Sequence, residues 1–126
     1  MGASAKRSIL IVDDDPELVA TLDVELGRLG FEVIAATDGI DALSYLYATR
    51  PSLVLIDLMM PRMTGLELVQ QIRHDRGLRD LPLLVMSGAK ELLGPAREAG
   101  ADEVLLKPID TDRVLQALAR HGVMKA

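Results

Sequence analysis

"ILIVDDDPELV", residues 9–19, runs four apolar residues into three consecutive aspartates and a proline. An unbroken apolar run suits a strand covered on both faces, because alternation appears only where one face meets water. Asp15-Pro16 then reads as a helix N-cap followed by proline at the first helical position, where its missing N–H is not needed. The stretch is therefore a buried strand passing directly into a helix, with carboxylates crowded at the junction.

The same unit recurs along the chain. Further strand-like runs lie at residues 31–35, 53–56, 81–86 and 104–106, and helical stretches separate them. Leu18, Leu22, Leu26 and Leu29 are expected to line one face of the first helix, which Gly30 ends. The second begins near Gly39, turns Leu43, Leu46 and Tyr47 inward, and stops before Pro51. The third follows Thr64-Gly65 and buries Leu66, Val69 and Ile72, and the fifth runs from about Asp110 with Val114, Leu115 and Leu118 inward. Gly94-Pro95 interrupts the fourth, so that helix is expected short or bent, beginning at Pro95. Alternating strands and helices predict an α/β domain with a parallel sheet. No Gly-, Ser- or Pro-rich linker divides the chain, so the expected organisation is a tail at 1–7, one domain at 8–121 and a tail at 122–126.

Composition removes several classes of function. There are no cysteines, and His74 and His121 stand too far apart in sequence to suggest a zinc pair. No apolar run approaches the length of a membrane span, so neither membrane insertion nor secretion is expected, and a cytoplasmic location is. Lys6 stands where a myristoylation motif after Met1-Gly2 requires Ser or Thr. A net charge of -5, with Phe31, Tyr45 and Tyr47 the only aromatics, argues against direct nucleic-acid binding.

Right-handed crossovers bring all strand C-termini of a parallel sheet to one edge, where open α/β sheets bind ligands. At those ends stand Asp13, Asp14 and Asp15, Asp57 in "VLIDLMMPRMTG", Ser87 in "LLVMSGA" and Lys107 in "VLLKP". Alone, each has a structural reading as cap, turn residue or solvated charge. Gathered on one edge, the carboxylates repel one another unless protonated or neutralised by a hard cation, and an all-oxygen set suits Mg²⁺. A nucleophilic aspartate beside a metal, with an ammonium and a hydroxyl near, suits phosphoryl transfer.

These motifs, with "GAD" at 100–102, resemble the receiver domain of the two-component response regulator family from about Ser8 to Leu118. The resemblance implies a flavodoxin-like, doubly wound, five-stranded parallel sheet in the order 2-1-3-4-5 with five helices. It implies Asp57 as phosphoacceptor, Asp14 as a direct Mg²⁺ ligand, Asp13 as an acidic neighbour acting through water, and the Met59 backbone carbonyl as a further ligand. Ser87 and Lys107 are implied to hold phosphoryl oxygens, the Lys107–Pro108 bond to be cis, and Asp15 to be a helix cap. Met59, Met60 and Met63 side chains read as packing.

Two departures stand out. The family commonly has an aromatic residue at the position held here by Val104, and the interval from Ser87 to Lys107 is slightly short. Valine cannot swing between buried and exposed positions, so a switch at Ser87 is expected to run through the loop around Gly88, Gly94 and Pro95. Met59 and Ala89, apolar where a polar side chain could orient water, predict slow self-dephosphorylation.

The leading expectation is a phosphorylation-dependent signalling switch, loaded by a sensor histidine kinase or a histidine phosphotransfer protein and acting through protein contacts. It is not expected to be an enzyme beyond its own phosphoryl chemistry. It either works alone or comes from a longer protein. The alternative is a pseudo-receiver, a scaffold that is not phosphorylated. A flavin carrier fits least, because three aspartates after the first strand repel a cofactor phosphate.

Overall fold

The computed structural model describes residues 7–123, so most of both expected tails lies outside the described residues. Five strands, β1 (Ser8–Val12), β2 (Glu32–Ala36), β3 (Leu53–Asp57), β4 (Leu83–Ser87) and β5 (Glu103–Leu106), alternate with α1 (Pro16–Arg28), α2 (Gly39–Thr49), α3 (Gly65–His74), α4 (Leu93–Ala99) and α5 (Thr111–Arg120). All pairings are parallel, in the order β2-β1-β3-β4-β5. The fold is the expected one.

β1, β3 and β4 are buried along their whole length. They separate two cores. One gathers Leu10, Val12, Val54, Ile56 and Val85 with Leu68, Val69 and Ile72 of α3; the other gathers Ile9, Ile11, Leu55 and Met86 with Leu22 and Leu26 of α1 and Val114 and Leu118 of α5. Successive residues of a strand face opposite sides, so a continuously apolar strand feeds both layers.

Capping fixes where the helices begin. The Asp15 carboxylate accepts from the Glu17 and Leu18 amides, and Thr64 and Glu67 form a reciprocal capping box at α3. β4 starts at Leu83, two residues later than expected, because Pro82 has no N–H for the ladder, although its carbonyl still accepts from Val54 at 3.0 Å.

Two inward assignments are corrected. Leu29 is 47% exposed because it is the C-cap of α1 (φ -90°, ψ 1°) and has left the helical stripe. Tyr47 is 61% exposed. It follows buried Leu46 by one residue, hence by a ~100° turn of the helix, and its hydroxyl donates to Asp75 instead. Leu18, Leu43, Leu66 and Leu115 are only partly buried, while Ala42, Leu68 and Ala117 are fully buried beside the expected Leu46, Val69, Ile72, Val114 and Leu118. The fourth helix is short, as expected, but begins before Pro95. A 3-10 turn over Lys90–Leu92 leads into it at Leu93, leaving proline in the first turn, where no intrahelical N–H is required. Among the described residues no helix is long and apolar enough to cross a membrane.

Candidate functional site

Chain polarity brings the ends of β1, β3, β4 and β5 to one edge. Asp13 follows β1, and Asp57 is the last residue of β3, paired in register with Met86 of β4. Among the described residues Asp13, Asp14 and Asp57 each offer a carboxylate oxygen within 4.8 Å of the others. Asp13 and Asp57 are buried, whereas Asp14 is exposed. The Asp13 amide still donates to the Ala36 carbonyl at 3.0 Å, and its Oδ1 accepts the Asp15 amide at 2.9 Å, which tightens the turn into α1.

Lys107 supplies the positive charge. Its Nζ donates to Asp13 Oδ2 at 2.8 Å and lies 3.6 Å from Asp57 Oδ2. β3 and β4 lie between β5 and β1, so the lysine stem reaches over their ends to make the first contact. The Asp13 side chain is fully buried, and an unpaired carboxylate there would be strongly unfavourable. Burial draws the ammonium's pKa down, but the hydrogen bond and charge of Asp13, followed by the charge of Asp57, outweigh it and hold Lys107 above the ordinary lysine value.

Asp57 is tuned differently. Burial raises its carboxyl above the usual carboxylate range; the Met59 amide, donating to Oδ1 at 3.1 Å, and the Lys107 charge oppose the rise, while the charges of Asp13 and Asp14 add to it. One ammonium therefore faces three carboxylates. The donor set is all oxygen and in excess of negative charge, so these residues fit a hard divalent cation such as Mg²⁺.

The remaining sequence candidates sit around this group. Ser87 is fully buried at the end of β4, and its hydroxyl accepts the Ala89 amide at 2.9 Å and donates to the Ala89 carbonyl at 3.3 Å. It is thus turned to its own loop, with no hydrogen bond to the carboxylates. Gly88 is exposed beside it. Met59 presents an exposed side chain, while Val104 is partly buried against the core on the α3 side of the sheet. The Lys107–Pro108 peptide is cis.

Sequence reasoning missed one pair near this edge. Asp38, the N-cap of α2, accepts Arg62 Nε at 3.0 Å and also its Nη2, joining the loop after β2 to the loop after β3. Asp38-Gly39 signals a helix start and nothing more, and no local pattern announces an ion pair across 24 residues.

A family model described as the response regulator receiver domain matches residues 9–119. Protein PilG of Pseudomonas aeruginosa is 30% identical over 115 residues, covering 90% of this chain and 85% of PilG. The DNA-binding dual master transcriptional regulator RpaA of Synechocystis is 32% identical over 109 residues, covering 85% of this chain but only 45% of RpaA, so the chain spans about half the length of some of the curated relatives it matches. The crystal structure of a putative response regulator from Chloroflexus aurantiacus superposes with a TM-score of 0.87 at 27% identity, covering 95% of this chain and all of that one. TrrA of Thermotoga maritima, solved in complex with Mg²⁺-BeF, gives 0.81 at 28% identity over 91% of this chain and 98% of that one. The chain belongs to the response regulator receiver domain family of two-component signalling.

Proposed function

We propose that this receiver domain is a phosphorylation-dependent switch that takes a phosphoryl group on Asp57. The observation that carries the reading is the convergence of Asp13, Asp14 and Asp57 within 4.8 Å with the Lys107 ammonium between two of them. Asp14, Asp57, the Met59 carbonyl and, through water, Asp13 would hold Mg²⁺. That ion would supply charge neutralisation for a phosphoryl group entering an acidic site.

The chain's own groups do the rest. Met59 N–H fixes Asp57 Oδ1, leaving Oδ2 on the side of Lys107. An Asp57 oxygen forms the bond to phosphorus as the bond from phosphorus to the donor's imidazole nitrogen breaks, and the imidazole keeps the electron pair. Lys107, held by Asp13 beside Asp57, is set to receive an oxygen of the transferred group. Ser87 can follow only by giving up its bond to the Ala89 carbonyl, which couples phosphoryl binding to the start of the β4–α4 loop. The donor is a sensor histidine kinase or histidine phosphotransfer protein, and output runs through protein contacts. A receiver domain of a sensor histidine kinase solved with magnesium in its active-site cleft, 26% identical, supports the metal reading.

Incubation with Mg²⁺ and a small acyl phosphate should add one phosphoryl mass to the chain and none to Asp57→Asn. No adduct on the wild type rejects the reading. The pseudo-receiver alternative draws on Val104 and on the self-satisfied Ser87 hydroxyl; it requires the wild type to behave as Asp57→Asn does.

A further inference from the structure

We propose that Arg62 and Asp38 form a latch that positions the Asp57 carboxylate by holding the tip of the β3–α3 loop. The inference rests on the phosphoacceptor reading of Asp57 and assigns two further positioning residues to that site.

The loop from Leu58 to Thr64 is pinned at three levels. At its base the Gly65 amide donates to the Leu58 carbonyl at 3.2 Å, and a Cβ on Gly65 would lie 2.3 Å from the Asp57 carbonyl oxygen. Only glycine permits that approach. In its body the Met59 amide holds Asp57 Oδ1. At its tip Arg62 has φ 65°, a left-handed conformation unfavourable for a residue with a Cβ, which persists where surrounding contacts impose it.

The contacts that impose it come from the loop after β2. Asp38 divides its oxygens. Oδ1 accepts the Ile40 and Asp41 amides, both at 2.9 Å, and Oδ2 takes the Arg62 guanidinium. Asp38 is buried, and its bonds to the first amides of α2 fix the position of its carboxylate. Beside it Met63 lies against Gly39 so closely that a Cβ there would sit 2.8 Å from the Met63 Cγ. Charge pairing and close packing thus anchor two consecutive residues of the tip. The path from Asp38 to the acceptor oxygen is then short: Arg62 and Met63 fix the tip, the tip and Gly65 fix the span holding Met59, and the Met59 amide orients Oδ1.

The test uses the whole chain as four single variants and the Arg62→Gln/Asp38→Asn double variant beside the wild type. Arg62→Gln removes the latch cation; Asp38→Asn removes the anion while keeping an oxygen that can cap α2; Arg62→Lys keeps the charge but not the fork; Arg76→Gln, at an exposed arginine of the α3–β4 loop, is the control. Mg²⁺ affinity by calorimetry and the rate of phosphoryl uptake from a small acyl phosphate at saturating Mg²⁺ are measured together with urea midpoints. Arg62→Gln and Asp38→Asn should each weaken one or both readouts by about three- to tenfold. The double variant should lose no more than the worse single, and Arg62→Lys should recover part of the loss. Arg62→Gln that shifts only the urea midpoint, or changes nothing, beside an active wild type overturns the latch. A wild type that takes no phosphoryl group overturns the underlying reading, and the latch with it. If Asp38→Asn does not fold, Arg62→Gln at the loop tip decides alone.

Discussion

Asp13, Asp57 and Lys107 are held from several directions at once, by strand register, by the turn into α1 and by one another. The segment from Ser87 to Val104 is built more thinly. The 3-10 turn at its start buries none of its residues, α4 buries Ala96 alone, and α3 across from it buries Gly65, Leu68, Val69 and Ile72. Under the proposed function the contrast separates two tasks. Receiving a charged group requires fixed charges, because reorganising them during transfer would cost what their pre-arrangement supplies. Relaying the event requires a segment that changes shape for little free energy.

The largest expected effect tests that division directly. Lys107→Ala should slow phosphoryl uptake by about a hundredfold or more, as loss of a fixed charge donor does. Ser87→Ala should slow it by about tenfold, the value of one charge-assisted hydrogen bond made only after the hydroxyl turns. Uptake rates from a small acyl phosphate distinguish the two, and equal losses would mean that Ser87 belongs to the fixed machinery. Next comes stability. Ile56→Ala, in the fully buried strand that carries Asp57, should cost about 2–5 kcal/mol in urea unfolding, whereas Leu92→Ala, at a half-buried position before α4, should cost about 1 kcal/mol. A similar cost at both sites would show the thin segment to be as firmly packed as the sheet.

The same contrast explains which parts were legible in the sequence. Continuous apolar runs ending in Asp13, Asp57 and Ser87 announce buried strands and their polarity, and polarity alone collects their ends on one edge. That Asp13, Asp14, Asp57 and Lys107 meet there was legible from their places at the strand ends. What escaped depends on distance and direction. Leu29 and Tyr47 look apolar in a pattern, yet one sits past its helix and the other lies off the inward stripe with a hydroxyl to satisfy. Arg62 reads as a solvated charge in a loop until α2 brings Asp38 beside it. The direct bond from Lys107 to Asp13, made across the ends of two intervening strands, is likewise set by sheet order and not by any local pattern.

A third measurement sharpens the contrast in time. Met59 is exposed beside Asp57 and carries no group that can orient water. Met59→Asn should shorten the phosphoryl lifetime by about tenfold, a modest share of what a positioned acid–base group contributes. Chasing phosphorylated protein in excess Mg²⁺ reads it. A wild-type lifetime of seconds, unchanged by the substitution, would place the control of hydrolysis elsewhere.

The smallest effect concerns pH, and its sign differs between the two regions. Burial holds the Asp57 carboxyl above its unfolded value, so the folded chain binds the proton more tightly than the unfolded one. Stability from this group therefore falls as pH rises from the unfolded value through the folded one, and the penalty is complete above both. Asp57→Asn should then be more stable than the wild type at neutral pH without Mg²⁺, with the gap closing in acid. At the far end of the sheet Glu103 behaves oppositely. The Arg120 fork at 2.9 and 3.0 Å, aided by His121, depresses its carboxyl, so its contribution is full above the unfolded value and is lost as pH falls through the folded one. Glu103→Gln should be less stable than the wild type at neutral pH, and that gap too should close in acid. Thermal midpoints across the acid range for the two variants give curves of opposite sign, and curves of the same sign would mean that the Asp57 carboxylate is already relieved of its burial before any cation is added.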